Sequence, residues 1–115
     1  MTDRHWLREQ YESQIERIVA RLRQAYDPDK IILFGSCARG DFDEDSDIDL
    51  LIVKETSLRP LERMREVYRL VYSPHHYLAL DPLVFTPAEL SRKLEAQDSL
   101  IQEIIREGKV LYERA

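Results

Sequence analysis

Two apolar runs set the limits on this fold: KIILF at residues 30–34 and DIDLLIV at 47–53. Each has the length and apolar character of a buried strand. The connection between them is too short for the helical crossover that parallel neighbours require, so an antiparallel pair is expected. Antiparallel pairing sets the end of the first strand beside the start of the second. Gly35 and Ser36 then stand next to Asp47 and Asp49, and GSCARGDFDEDSDID forms one end of a sheet.

Periodicity supplies the remaining elements. Leu7, Tyr11, Ile15, Ile18, Leu22 and Tyr26 recur every three or four positions as one helical stripe, which DPD at 27–29 stops. A short turn of helix fits after Gly35. Leu61, Met64, Tyr68 and Val71 predict a second amphipathic helix, ended by SPHH. YLALDPLVF at 77–85 reads as a third strand, joined to the second through that helix and so parallel to it, with a right-handed connection. In TPAEL, Thr86 is placed to cap a helix, with Pro87 at its first position and Glu89 at its third. A last helix carries Leu100, Ile101, Ile104 and Ile105 and ends at Gly108, followed by an extended KVLYE. The expected fold class is α/β (α+β): a small mixed sheet of three to four strands flanked by helices. At 115 residues, the chain is expected to form a single domain, 1–115, with a modest core.

Composition narrows the setting. Hydrophobic residues make up 43% and charged residues 34%, a globular balance rather than a disordered one. No apolar run approaches the ~20 residues that span a bilayer, and MTDRHWLREQ lacks the apolar stretch of a secretory signal. The single cysteine, Cys37, excludes an internal disulfide and fits a reducing cytoplasm, the expected location. A net charge of -5 argues against direct nucleic-acid binding, which calls for a basic face.

Six of the nine residues from Asp41 to Asp49 are carboxylates. Residues two apart in a strand share a face, so Asp47 and Asp49 project together. Two carboxylates that close repel each other, and a divalent cation removes the conflict. Oxygen ligands with room for water and phosphate suit Mg²⁺ or Mn²⁺, and metal ions at such sites serve in-line nucleotidyl displacement. Asp81, in the third strand, is a candidate further ligand. Gly35 permits close backbone approach, while Ser36, the amides after it and Arg39 are candidates for phosphate contact. A metal beside a phosphate cradle implies a nucleoside triphosphate.

Plainer readings stand beside these. Asp43, Glu44 and Asp45 read as a solvated acidic loop. Asp81 could serve only to turn the chain before Pro82. His75 and His76 read as loop residues on the surface rather than metal ligands. Cys37 reads as a small packed residue rather than a nucleophile. For Asp47 and Asp49 the plain reading is weak, since unpaired charge inside an apolar strand is costly.

Gly35-Ser36, ten intervening residues, then Asp47-Ile48-Asp49 resembles the signature of the DNA polymerase β-like nucleotidyltransferase superfamily. GSCARGDFDEDSDIDLLIV, DPLVFTPAEL and EGKVLYE are most similar to its minimal nucleotidyltransferase (MNT) branch, the MntA-type antitoxins. The resemblance implies that Asp47, Asp49 and Asp81 bind Mg²⁺ and carry catalysis, and that Gly35 and Ser36 bind the triphosphate of ATP. It further implies a HEPN-family helical toxin as partner and AMP transfer to one of its tyrosines. The alternatives are nucleotidyl transfer to a small-molecule hydroxyl, as in antibiotic-modifying relatives, and a catalytically idle antitoxin acting by contact. Homo-oligomerisation stays open. Cys37 stands where the family most often has Arg, and Pro82 after the third Asp is a further departure. Because Pro82 removes a backbone donor, its strand is expected at a sheet edge or at a bulge.

Overall fold

The computed structural model describes residues 5–74 and 79–115. His75 and His76, and the start of the expected third strand at Tyr77 and Leu78, lie outside the described residues. The elements run α1 (His5–Ala25), β1 (Lys30–Phe34), α2 (Ser36–Arg39), β2 (Ile48–Val53), α3 (Pro60–Val71), β3 (Leu80–Phe85), α4 (Pro87–Glu95), α5 (Ser99–Glu107) and β4 (Lys109–Glu113). The strands form one mixed sheet in the order β3-β2-β1-β4. β1 pairs antiparallel with both β2 and β4, and β2 pairs parallel with β3. These are the fold class and strand directions expected from sequence. KVLYE supplies the fourth strand, and Pro82 lies on an edge strand, where its missing N–H costs least.

Strand alternation sends side chains to two different helical layers. Ile31, Leu33, Leu50, Ile52 and Val84 pack with Ile18 and Leu22 of α1 and Val67 and Val71 of α3. On the opposite face, Ile32 and Leu51 pack with Ile101 and Ile104 of α5. Each such Leu or Ile contributes about 1.5–3 kcal/mol by leaving water, so both helical layers are held by burial. Leu100 and Ile105, which flank the buried stripe of α5, are 47% and 49% exposed.

α3 departs from the expected pattern. Its buried residues are Arg63, Val67 and Val71, whereas Leu61 and Tyr68 face outward. The stripe is rotated because a charge occupies it. Arg63 is 6% exposed and is held by Glu89 at 2.6 Å and by the carbonyls of Leu58 and Val84 at 2.7 and 3.2 Å. Glu89 also closes the expected capping box, accepting from the Thr86 N–H at 2.8 Å while Thr86 Oγ1 accepts from the Glu89 N–H at 3.1 Å. Arg63 and that N–H together hold the Glu89 carboxyl down at about 2. One ion pair thus ties α3 to the start of α4.

Two local devices finish the sheet. The β1–β4 register shifts between Ile31 and Ile32, leaving Leu111 as an extra residue, so Leu111 and its neighbour Tyr112 both pack toward the α1 layer. Beyond β4, Arg114 grips the corner between α1 and β1. Its guanidinium reaches the Asp27 carbonyl at 2.6 Å and carboxylate at 2.7 Å, and its N–H donates to the Asp29 carbonyl at 2.9 Å. Among the described residues, no helix is long and apolar enough to cross a membrane.

Candidate active site

The register builds a row across three strands: Phe34 opposite Asp49, and Asp49 opposite Asp81. Asp49 alternates with Leu51 and Asp81 with Leu83, both of which belong to the α5 layer, so the two carboxylates share that face. Asp47 sits just ahead of β2, two residues before Asp49 and on the same side. Asp47 and Asp81 are exposed, while Asp49 is half-buried.

This placement makes Asp49 the electrostatic focus. Burial, the Asp81 and Asp47 charges and a hydrogen bond with Asp81 push its carboxyl up to about 6, with Arg39 opposing. The raised value records how costly it is to keep a further negative charge on Asp49 between Asp47 and Asp81. Among the described residues, no three acidic, His or Cys side chains form a ready-made metal cage. The fit to a cation rests instead on donor chemistry: acceptor-only oxygens, mutually repelling, partly removed from water. Mg²⁺ suits such a set, because it keeps several waters and typically takes one or two carboxylates plus substrate phosphates.

Gly35 lies against this group. It has φ of 73°, and a Cβ there would collide with Asp49 Oδ2, so backbone conformation and space both call for glycine. α2 starts at the next residue. The N–H groups of Ala38 and Arg39 turn back to the Gly35 carbonyl, each at 3.1 Å, while those of Ser36 and Cys37 lead the helix, where no intrahelical acceptor exists. Cys37 is buried and its thiol donates to the Asp47 carbonyl at 3.5 Å. Burial, with Asp49 and Asp47 nearby, pushes that thiol up to about 11, which fits a packed residue better than a nucleophile.

Arg39 reaches Asp41 at 3.2 Å and Glu107 at 3.9 Å. It borders a cleft of about 180 Å³ formed with Phe34, Gly35, Leu100, Ile104 and Glu107. Ligand-enclosing pockets run from about 300 Å³ upward, so this cleft cannot surround a nucleotide by itself. A larger cavity of about 440 Å³ opens between α1, β1 and β4, bordered by Ile15, Leu33, Phe42 and Lys109, on the sheet face away from the Asp49 row.

The acidic loop largely serves itself. Asp43 Oδ1 accepts from the Asp45 N–H at 2.9 Å and from Ser46 Oγ at 3.3 Å, and Asp43, Glu44 and Asp45 are exposed. Two tyrosines, counted in sequence only as helix-stripe residues, send hydroxyls to this end of the sheet. Tyr11 donates to the Ser46 carbonyl and Tyr68 to the Leu80 carbonyl, both at 2.6 Å. No sequence pattern pointed to these long-range contacts.

A sequence model of the family described as "Polymerase beta, Nucleotidyltransferase" matches residues 16–115. Similar proteins of Methanocaldococcus jannaschii bear the name "Putative protein adenylyltransferase". One is 33% identical over 103 residues, covering 88% of this chain and 97% of its own length. Another is 40% identical over 60 residues, covering 50% of this chain and only 59% of its own length. Among solved structures, a "putative nucleotidyltransferase" from Sulfolobus solfataricus has a TM-score of 0.58 at 24% identity, over 91% of this chain and 87% of its own. A chain from a crystal structure of a toxin-antitoxin with AMP-PNP has a TM-score of 0.58 at 22% identity, over 86% of this chain and 73% of its own. At those identities the two structures speak for the fold, a helix-flanked mixed sheet.

Proposed function

The chain belongs to the polymerase beta nucleotidyltransferase family, and on that premise we propose that residues 1–115 act as one nucleotidyltransferase domain that moves AMP from ATP to a protein hydroxyl. The acceptor of this reading is a tyrosine of a HEPN-family helical toxin, which makes the chain the antitoxin of the pair. The observation that carries the reading is the Phe34–Asp49–Asp81 row, with a half-buried carboxyl pushed up to about 6 directly against Gly35. Relatives named as protein adenylyltransferases favour AMP as the transferred group, and the toxin-antitoxin neighbour with AMP-PNP favours a toxin partner. The cleft that Gly35 and Arg39 border is only about 180 Å³, too small to enclose a small-molecule acceptor beside a nucleotide, which favours a protein acceptor.

Each residue has a role in this reading. Asp47, Asp49 and Asp81 hold Mg²⁺ or Mn²⁺, which supplies charge neutralisation for the triphosphate and for the leaving pyrophosphate. Gly35 lets the phosphates approach the backbone. Ser36, the leading amides of α2 and Arg39 donate to phosphate oxygens. The acceptor hydroxyl oxygen bonds to the α-phosphorus, the bond to pyrophosphate breaks, and the hydroxyl proton passes to the exposed Asp81.

The test mixes the purified chain with its candidate toxin, Mg²⁺ and ATP, and follows the toxin by mass spectrometry. Addition of adenylate mass to a tyrosine-containing peptide, lost with Asp47→Asn, is the expected result. A toxin neutralised equally well by Asp47→Asn, with no mass change, would replace transfer with contact.

A further inference from the structure

Asp47 and Asp81 are the two site carboxylates that the sheet holds least. Asp47 precedes the first residue of β2, and Asp81 lies on β3, which has a neighbour on one side only. Asp49, between them, is fixed by β1 and β3 together. The backbone before each loosely held carboxylate carries a tyrosine contact. From α1, the Tyr11 hydroxyl donates to the carbonyl of Ser46, the residue before Asp47, at 2.6 Å, and to that of Asp43 at 3.0 Å. From α3, the Tyr68 hydroxyl donates to the carbonyl of Leu80, the residue before Asp81, at 2.6 Å. Both short contacts lie at the tight end of the O–H···O range.

We propose that Tyr11 and Tyr68 are positioning residues, which clamp the backbone ahead of Asp47 and Asp81 and so hold those carboxylates beside Asp49, from where they can turn onto a shared divalent cation. The inference rests on the metal-site reading given under the proposed function. Packing alone does not account for the pair. Tyr68 is 40% exposed, so its ring contributes little that another apolar side chain would not, and its hydroxyl carries the contact. Tyr11 does pack its ring on Phe42, at 4.9 Å between centroids, and a phenylalanine would preserve that packing while removing the clamp. Burial chiefly raises the pKa of both hydroxyls, and the charge of Asp47 adds to it, which marks them as neighbours of the acidic group. Their helices pack on each other beneath the sheet, so the two contacts share one support.

The experiment uses the full chain with Tyr11→Phe, Tyr68→Phe and the double variant, and Mn²⁺ as the probe. Free Mn²⁺ is read by electron paramagnetic resonance, and folding by thermal melts. Each single variant should weaken Mn²⁺ binding by about three- to tenfold, the worth of one ordinary hydrogen bond, and the double variant by more. The core variant Ile18→Val controls for general loss of stability and should leave Mn²⁺ affinity unchanged. Wild-type protein that binds Mn²⁺, with both tyrosine variants binding it equally well, overturns the clamp and leaves the proposed function standing. Equal weakening by Ile18→Val reduces the effect to stability and also overturns it. Wild-type protein that binds no Mn²⁺ overturns the metal-site reading, and the clamp with it.

Discussion

Replacing Asp49 with asparagine should remove transfer activity and yet make the fold more stable at neutral pH. In the folded chain the Asp49 carboxyl is raised from 3.8 to about 6, chiefly by burial and then by Asp81 and Asp47. Below pH 3.8 folded and unfolded chains both hold the proton, and there is no effect. Between 3.8 and 6 the folded chain keeps a proton that the unfolded chain releases, so stability falls as pH rises through this window. Above 6 the whole cost is present. A shift of about two units corresponds to about 3 kcal/mol as a ceiling. Asp49 is only half-buried, and solvent screening leaves about 1–2 kcal/mol. Asparagine has nearly the same shape, carries no charge and can donate to Asp81. At about 4 °C per kcal/mol for a domain of this size, Asp49→Asn should melt about 4–8 °C above wild type at pH 7.5 in chelator. The gap should close at pH 4, and added Mg²⁺ should narrow it at pH 7.5 by stabilising the wild type. Circular-dichroism melts at the two pH values measure this. A variant that melts at or below wild type at pH 7.5 in chelator would refute the electrostatic reasoning.

Two further perturbations separate the site from its scaffold. Gly35→Ala places a methyl group against Asp49 Oδ2 at a positive φ, so it should cost about 1–3 kcal/mol and abolish ATP binding, measured by urea titration and calorimetry. Glu89→Gln should lose about 1–2 kcal/mol at pH 7, below the ceiling set by its low pKa because the side chain is 29% exposed. That contribution is present above the unfolded value of 4.5 and fades as pH falls toward 2, so urea midpoints of variant and parent should converge in acid.

The parts of the fold legible in sequence were those set by local rules. The brief connection between KIILF and DIDLLIV dictated an antiparallel pair, and the registers observed put Asp49 beside Phe34 and Asp81. TPAEL announced its capping box, since every partner lies within four residues. What was not legible depends on distant partners. Hydrophobic periodicity put Leu61 and Tyr68 in the buried stripe of α3, because it reads Arg63 as surface. Arg63 is buried with Glu89, 26 residues later, to neutralise it. The hydroxyl contacts of Tyr11 and Tyr68 cross 35 and 12 residues, and a tyrosine in a helical stripe looks the same with or without them. The extra residue at Leu111 arises from how two strands meet, and neither strand shows it alone.

The grip of Arg114 on the corner between α1 and β1 bears on solubility. β4 covers β1, whose Ile31, Ile32 and Leu33 are all buried. If β4 peels away, KIILF becomes the outer strand of the sheet: apolar, flanked by a single lysine, and with its backbone donors and acceptors free. Such an edge recruits strands from other chains. β4 itself is held by one strand and has an interrupted ladder at Leu111, so it is the natural place for fraying to start. Arg114 fastens the end of β4 to Asp27 and Asp29 through backbone and side chain at once. It thereby opposes the fraying that would bare KIILF, from a position far in sequence from that strand.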